Sequence, residues 1–265
     1  MTTKKFVLPQ LYFSKLMRAI TEFELIGEGD KILLGISGGK DSIFMAYAMA
    51  MMQKRLKKNF QLQALTINPM FSEDFDTERI RGFMEELGIP FASFPVDIAG
   101  TIENQGGKDP CYTCAFFRRG AVNRYAKDQG CNKVAYAHHH DDAVETFFMG
   151  LLYSGQLHTF TPKTYLDKMD LTVIRPLVYF REAEIREAVQ YHGFEPVPAP
   201  CPYDGHTIRQ KVKDLIQEMS QDNPQLYSHL AAAMRQDAIG ELWAPAKTRK
   251  EMQKQYFSYM YGKQQ

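Results

Sequence analysis

A polar loop with two adjacent glycines follows the first apolar run of the chain. Residues 35–42 read GISGGKDS, directly after KILL at 31–34. Paired glycines let a backbone approach a phosphate closely, lysine supplies positive charge, and serine hydroxyls donate hydrogen bonds. The spacing is neither that of a Walker A loop nor that of a dinucleotide fingerprint. A serine-capped turn between a strand and a helix is the plainer alternative. The predicted anion-binding residues are Ser37, Gly38, Gly39, Lys40, Asp41 and Ser42.

Three cysteines form a second candidate site. Cys111 and Cys114 lie in DPCYTCAFFRRG, and Cys201 lies in the proline-rich segment APCPYDGH. A C-x-x-C pair is typical of a redox pair, half of a zinc site or part of an iron–sulfur site. His206 would complete a Cys₃His zinc site, whereas an iron–sulfur cluster would have three protein ligands and one open iron. The fourth cysteine, Cys131, begins a predicted strand and is expected to be a buried thiol.

Histidines and aspartates follow another predicted strand, in the sequence AHHHDD at 137–142. Mg²⁺ prefers carboxylate and phosphate oxygens, so Asp41 and Asp142 are candidates to hold it near a nucleotide. The histidines could instead cap the next helix. Arg118 comes four residues after Cys114 and therefore shares its helical face, where it could contact a phosphate or lie on the surface.

The elements that must position these residues alternate between strand and helix. Strands are predicted at 31–36, 62–67, 90–95 and 133–137, and helices at 11–24, 42–57, 74–87, 112–129, 141–153, 181–192, 206–219 and 224–240. Residues 163–175 are predicted as a turn or hairpin, the proline-rich segment as a loop, and 245–265 as a basic, aromatic tail. Strands separated by helices favour an α/β fold, a doubly wound parallel sheet covered on both faces.

Charge and hydropathy limit the possible classes of function. The chain has 32 basic and 31 acidic side chains, so its net charge of +1 argues against binding nucleic acid through overall charge. Local basic runs are a solvated face or follow a phosphate backbone. These runs are Lys54, Arg55, Lys57 and Lys58; Arg118 and Arg119; and Lys247, Arg249, Lys250 and Lys254. Without a signal-like N-terminus or a long apolar run, the protein is expected in the cytoplasm and not in a membrane.

The loop SGGKDS resembles the SGGxDS signature of the PP-loop ATP pyrophosphatase family. With CYTCAFFRRG, AHHHDD, VIRPLVYFREAEI and PCPYDG in order between about residues 23 and 230, the chain is similar to the TtcA-like tRNA thiolation enzymes of that superfamily, and more distantly to the TtuA group. The resemblance implies that ATP is cleaved between its α and β phosphates and that the loop holds pyrophosphate. It also places Thr66, Asn68 and His138 at the nucleotide.

The same resemblance implies the cofactors, roles and domains. A [4Fe-4S] cluster would be bound by Cys111, Cys114 and Cys201, and Mg²⁺ and ATP would complete the site. The catalytic residues would be Asp142, Lys40 and Arg118. Residues 1–25 would form an N-terminal helix, 26–200 the PP-loop ATP-binding and catalytic domain, and 201–265 a C-terminal helical region and basic tail.

The implied function is an ATP- and iron–sulfur-dependent tRNA sulfurtransferase that adenylates a pyrimidine carbonyl and replaces its oxygen with sulfur. The expected product is 2-thiocytidine at position 32 of the anticodon loop, and the partners are tRNA, a cysteine desulfurase or free sulfide, and a second copy in a homodimer. The target base would be turned outward. Phe116, Phe117 and Tyr203 could stack on it, although helical spacing favours core packing for Phe117. Two alternatives stay open: a PP-loop sulfurtransferase for another nucleoside or small molecule, and a zinc-stabilised ATP-binding module without thiolation activity.

Overall fold

A six-stranded sheet forms the centre of the protein. The computed structural model describes residues 7–72, 74–107, 109–197, 201–203, 205, 207–235 and 248–253. The strands are β1 (Lys31–Gly35), β2 (Gln61–Asn68), β3 (Phe91–Pro95), β4 (Lys133–Ala135), β5 (Lys163–Leu166) and β6 (Leu171–Ile174). The helices are α1 (Gln10–Glu22), α2 (Lys40–Arg55), α3 (Thr77–Leu87), α4 (Ile98–Asn104), α5 (Pro110–Asp128), α6 (His140–Met149), α7 (Glu182–His192), α8 (Ile208–Asp222) and α9 (Leu226–Ala233). No helix in these ranges is both long enough and apolar enough to cross a membrane.

The strand order β3-β2-β1-β4-β6-β5 confirms the predicted α/β class. All neighbouring strands are parallel except β5, which runs antiparallel to β6. The chain proceeds from β1 to β2 and β3 on one side and returns to β4 on the other. A crevice opens at such a switch point, beyond the carboxyl ends of β1 and β4. The segments that carry GISGGKDS and AHHHDD therefore converge there.

Alternate residues of β1 face two separate apolar cores. Ile32 and Leu34 pack on the side of α2, whereas Leu33 packs on the side of α5. Both faces of the sheet are therefore covered, as a parallel sheet requires. Helix α2 is buried along most of its length, and its core contacts include four methionines: Met45, Met49, Met51 and Met52.

Several elements differ from the prediction. The segment at 163–175 is a hairpin, as expected, but β6 also pairs with β4 and so extends the main sheet. Helix α4 was not predicted, and α6 continues into a π-helical turn, Gly150–Ser154. Of the helix predicted at 224–240, the structure describes a shorter helix ending at Ala233, and residues 236–240 lie outside the described ranges. Most of the predicted tail at 245–265 also lies outside them.

A buried ion pair joins the start of β4 to the residue before β1. The Lys133 ammonium lies 2.6 Å from Asp30 Oδ2, and both side chains are at most 10% exposed. Burial alone would raise the pKa of Asp30, but hydrogen bonds from Lys133, the Gly27 amide and Asn132 outweigh it and lower the pKa. The carboxylate therefore stays charged inside the fold.

We expect Lys133→Ala to lower the free energy of unfolding by about 3–5 kcal/mol, because it leaves a buried carboxylate without its partner. Urea denaturation measures this. Lys127→Ala is the control, since the Lys127–Asp170 pair is largely exposed and should contribute at most about 1 kcal/mol. Because folding lowers the pKa of Asp30, the stabilisation is present above the ordinary aspartate pKa and is lost as the pH falls through the folded value. Equal effects of the two substitutions would contradict the prediction.

Candidate active site

The predicted anion-binding loop lies between β1 and α2. Gly38 has a φ of +86°, and a Cβ there would lie 3.1 Å from the Val197 carbonyl oxygen. Only glycine fits this conformation and this space without strain. Gly39, which has no side chain, is the N-cap of α2, so the amide groups of the first helical turn remain available to an anion. The Ser42 hydroxyl donates to the Gly39 carbonyl at 2.8 Å, and the Ser37 hydroxyl donates to the Ser42 hydroxyl oxygen at 3.2 Å. The two serines therefore stabilise the loop.

The Lys40 ammonium lies between two carboxylates. Its Nζ is 3.0 Å from Asp41 Oδ2 and 3.0 Å from Glu182 Oε1. Burial would lower the pKa of Lys40, but these two carboxylates outweigh it and raise the pKa. The side chain is therefore a permanent positive charge at the loop, as predicted, although the prediction did not include Glu182.

Asp41 and Asp142 approach each other across one imidazole. His139 Nε2 lies 3.7 Å from Asp41 Oδ1 and 3.5 Å from Asp142 Oδ2. His139 is the N-cap residue of α6, and its amide donates to Asp142 Oδ2 at 2.9 Å, so the Asp142 carboxylate, and not an imidazole ring, makes this capping bond. Asp41 Oδ1 is buried and has no hydrogen-bond partner among the described residues. Two carboxylates beside a phosphate loop fit Mg²⁺, which takes its other ligands from phosphates and water.

Helix α8 adds charged groups that the sequence prediction missed. Arg209 Nη1 lies 2.9 Å from Glu145 Oε2 and 3.5 Å from Asp142 Oδ1. Burial raises the pKa of Glu145, although Arg209 partly opposes the rise. Lys213 lies one turn further along α8 and contacts Glu182 at 2.6 Å. Helical spacing is the sequence signal that could have identified Arg209 and Lys213. They are four residues apart, and each lies three residues before a buried apolar residue of α8, Val212 or Ile216.

The residues predicted to contact the nucleoside have well-defined structural partners. Thr66 is fully buried, and its hydroxyl donates to the Ile36 carbonyl at 2.9 Å. Asn68 Oδ1 accepts from the Met70 amide at 2.9 Å. These bonds join the ends of β1 and β2 and shape the turn after β2. Contact of Thr66 and Asn68 with adenosine stays a prediction.

His138 lies beside Phe160, with ring centroids 5.2 Å apart. Burial lowers its pKa to about 4, so the imidazole is neutral near pH 7. Its Nδ1 has no hydrogen-bond partner in the described part of the chain. His138 therefore brings to the crevice a neutral ring with an unused polar atom, and its contact with the nucleotide also stays a prediction.

The three candidate cysteines lie within electrostatic range of one another. Burial raises the pKa of Cys114; Arg118 lowers it, and thiolates at Cys201 and Cys111 raise it. Burial, followed by Cys201, raises the pKa of Cys111. All three are free thiols. Cys201 therefore lies in the neighbourhood of the C-x-x-C pair. His206, the possible fourth zinc ligand, lies outside the described residues.

The donor set can be tested against a single metal ion and against a cluster. Within the described residues, no three Cys, His, Asp or Glu side chains are arranged to share one metal ion. A cubic cluster requires a wider spacing, because each thiolate binds a different iron. Three thiols in electrostatic range, without a disulfide, fit that donor set. Cys131 is buried, at 4% exposure, as predicted.

Most side chains in the first half of α5 are exposed or only partly buried. Arg118 shares a face with Cys114, as its effect on the Cys114 pKa indicates, and its buried Nε has no hydrogen-bond partner among the described residues. Phe117 is 37% exposed, so the expectation that it packs in the core was wrong. Before Val122, Thr113 is the one buried residue of this helix.

Two other aromatic side chains are more exposed than Phe117. Tyr112 and Phe116 are 67% and 56% exposed, and their rings stack with centroids 6.2 Å apart. Tyr203, two residues after Cys201, packs edge-on against Phe71, which follows β2. The cysteine segment therefore lies over the carboxyl end of the sheet, and exposed aromatic surface lies beside the thiols.

Comparison with known proteins agrees with this geometry. The PP-loop domain model matches residues 12–218. The tRNA-cytidine(32) 2-sulfurtransferase of Ralstonia pickettii is 33% identical over 225 residues, which cover 84% of this chain and 71% of the relative. The enzyme of the same name from Syntrophotalea carbinolica is 34% identical over 221 residues, which cover 82% of this chain and 85% of the relative.

A solved structure has the same fold. The U34-tRNA thiolase NcsA from Methanococcus maripaludis, determined with its [4Fe-4S] cluster, superimposes with a TM-score of 0.70 at 22% identity. The match covers 89% of this chain and 81% of that chain. By the extent of the PP-loop match and the identity to its curated relatives, the chain belongs to the PP-loop family and, within it, to the TtcA-like family of tRNA-cytidine(32) 2-sulfurtransferases.

Proposed function

We propose that this protein is an ATP-dependent tRNA sulfurtransferase that forms 2-thiocytidine at position 32 of the anticodon loop. One observation supports the proposal most strongly: the segment leading to Cys201 is bonded to the phosphate loop. The Val197 amide donates to the Gly38 carbonyl at 2.9 Å. Four residues of chain span at most about 14 Å. A thiol that lies within range of Cys111 and Cys114 is therefore tied to the place where ATP would bind.

The first step is adenylation of the base. A carbonyl oxygen on a pyrimidine is a poor leaving group, so its attack on the α-phosphate of ATP, with release of pyrophosphate, converts it into a good one. In this proposal the α2 amides and Lys40 hold the pyrophosphate, and Asp41 and Asp142 hold Mg²⁺. Groups fixed in advance around the developing charge lower the barrier most.

The second step exchanges AMP for sulfur at the activated carbon. Cys111, Cys114 and Cys201 would hold a [4Fe-4S] cluster, which when bound supplies a Lewis-acidic iron for a sulfur nucleophile. Arg118 lies beside Cys114 and would steady the phosphate of the leaving AMP. The carbon–oxygen bond to AMP breaks as the carbon–sulfur bond forms. A cysteine desulfurase or free sulfide would supply the sulfur.

The proposal also covers the assembly and the substrate. Residues 26–200 would form the ATP-binding and catalytic domain, the region from 201 onward would add Cys201 and α8, and two copies would form a homodimer. The exposed Tyr112 and Phe116 rings could stack on an unpaired base of the anticodon loop, because every nucleobase has a flat face that stacks on an aromatic ring. The competing candidates are thiolation of another nucleoside or small molecule and a zinc-stabilised ATP-binding module.

Deletion of the gene from its source strain tests the proposal. We expect 2-thiocytidine to disappear from digested tRNA, as measured by nucleoside mass spectrometry, and to return when the intact chain is supplied on a plasmid. Loss of a different thionucleoside would favour another substrate. No change in any thionucleoside, with a colourless, zinc-containing protein, would favour the binding module and contradict the proposal.

A further inference from the structure

Glu182 joins three helices at the phosphate loop. It is the first residue of α7, and its side chain is 13% exposed. One carboxylate oxygen lies 3.0 Å from the Lys40 ammonium of α2, and the other lies 2.6 Å from the Lys213 ammonium of α8. Arg186, one turn further along α7, approaches from the exposed side at 2.8 Å. A single carboxylate therefore connects the loop-bearing helix to α8.

The Glu182 backbone is itself fixed. Its amide donates to Asp141 Oδ2 at 2.9 Å, and Asp141, which is 6% exposed, also accepts from the Arg181 guanidinium at 3.1 Å. That guanidinium lies 3.4 Å from the centroid of the Tyr227 ring. Asp141 lies in AHHHDD, at the start of α6. The position of Glu182 is thus determined by the same segment that carries Asp142.

The charges explain why this carboxylate is needed. Lys40 and Lys213 have like charges and would repel each other at close range. They lie at one point because each binds a different oxygen of Glu182. Burial would raise the pKa of Glu182, but hydrogen bonds from Lys213, Arg186 and Lys40 outweigh it and hold the pKa well below its usual range.

We infer that Glu182 is a positioning residue: it holds the Lys40 ammonium at the phosphate loop and brings Lys213 to the same side of the nucleotide, where Lys213 contacts the phosphates as a second cation. The inference rests on the proposed ATP site and extends it to α8. It requires Glu182, Lys40 and Lys213 to act as one unit in nucleotide binding. A carboxylate that only stabilised the fold would not affect nucleotide affinity in that coupled way.

Calorimetric titration of the full-length protein with ATP and with a non-hydrolysable ATP analogue, without tRNA, tests the inference. We expect Glu182→Gln to weaken binding about tenfold, the size typical of losing charge-assisted hydrogen bonds. Lys213→Ala should weaken it by a similar factor. The double variant should bind no more weakly than the weaker single variant, because both changes disrupt one unit. Glu182→Asp should recover part of the affinity.

Glu184→Gln is the matched control. It is the same substitution two residues along α7, but Glu184 pairs with Lys15 of α1 and not with the loop. The Glu184→Gln variant should bind ATP within about twofold of the unchanged protein, because the glutamine amide oxygen can still accept from the Arg181 amide and the residue pairs with neither Lys40 nor Lys213. Thermal melting of each variant checks that it is folded.

Three results would overturn the inference: Glu182→Gln binding as tightly as the unchanged protein, Glu182→Gln binding more tightly, or strictly additive losses in the double variant. These results are separate from a failure of the proposed function. If the unchanged protein bound no ATP, the proposed function would fail. If it bound ATP and thiolated tRNA while Glu182→Gln bound normally, only the inference would fail.

Discussion

Replacement of Cys201 by serine should remove the iron of the anaerobically purified protein and stop tRNA thiolation. A hydroxyl is a far poorer ligand for iron than a thiolate, and Cys111 and Cys114 alone are too few to hold a cluster. We expect the brown colour to be lost, iron to fall to trace levels, and thiolation to match a no-enzyme control. ATP affinity should stay within about twofold, because the loop between β1 and α2 is unchanged.

Cys131→Ser is the matched control for this prediction. Cys131 is buried beside Gln63 on the α5 side of the sheet, with its Sγ 3.7 Å from Gln63 Oε1. Replacement of the Cys131 sulfur by oxygen should leave the iron content of the protein unchanged. If Cys201→Ser kept its full iron content, the three-cysteine site would be wrong. Zinc in place of iron in the unchanged protein would favour the binding-module alternative.

Replacement of Lys40 by alanine should lower tRNA-dependent AMP production by about 10²–10³-fold, the loss that follows removal of one fixed charge-stabilising group. Because neighbouring carboxylates raise the pKa of Lys40, its charge persists through neutral and mildly alkaline pH. The effect should therefore be the same across that range. AMP release measured over a pH series, with and without tRNA, checks both expectations.

Lys54→Ala separates a local effect from a general loss of positive charge. Lys54 is exposed in the last turn of the same helix, far from the loop. AMP production by the Lys54→Ala variant should stay within about twofold of that of the unchanged protein, because salt screens the charge of a distant exposed lysine. Equal losses in the two variants would mean that Lys40 contributes only to the overall field, and normal turnover of Lys40→Ala would remove its assignment.

Local patterns explain how the sequence predicted the phosphate loop. The apolar run at 31–34 must be buried, and two glycines directly after it mark a turn at its carboxyl end. Both statements concern neighbouring residues, so they hold without knowledge of the rest of the chain.

Long-range packing explains what the sequence could not predict. Glu182 and Lys213 lie on helices whose charged residues look like ordinary solvated faces, and only the packing of α7 and α8 around the loop brings them to Lys40. The error at Phe117 has a similar origin. Helical spacing indicates which face of a helix could be buried, but it does not indicate whether another element covers that face.

The methionines of α2 have a mechanical consequence. Met45, Met49 and Met52 are fully buried around the helix that carries the loop. Methionine is unbranched and has three rotatable bonds, so it adapts to a new shape better than a branched side chain does. The core around α2 should therefore tolerate small changes of shape, such as an isosteric apolar substitution in a neighbouring residue, better than a core of branched side chains would.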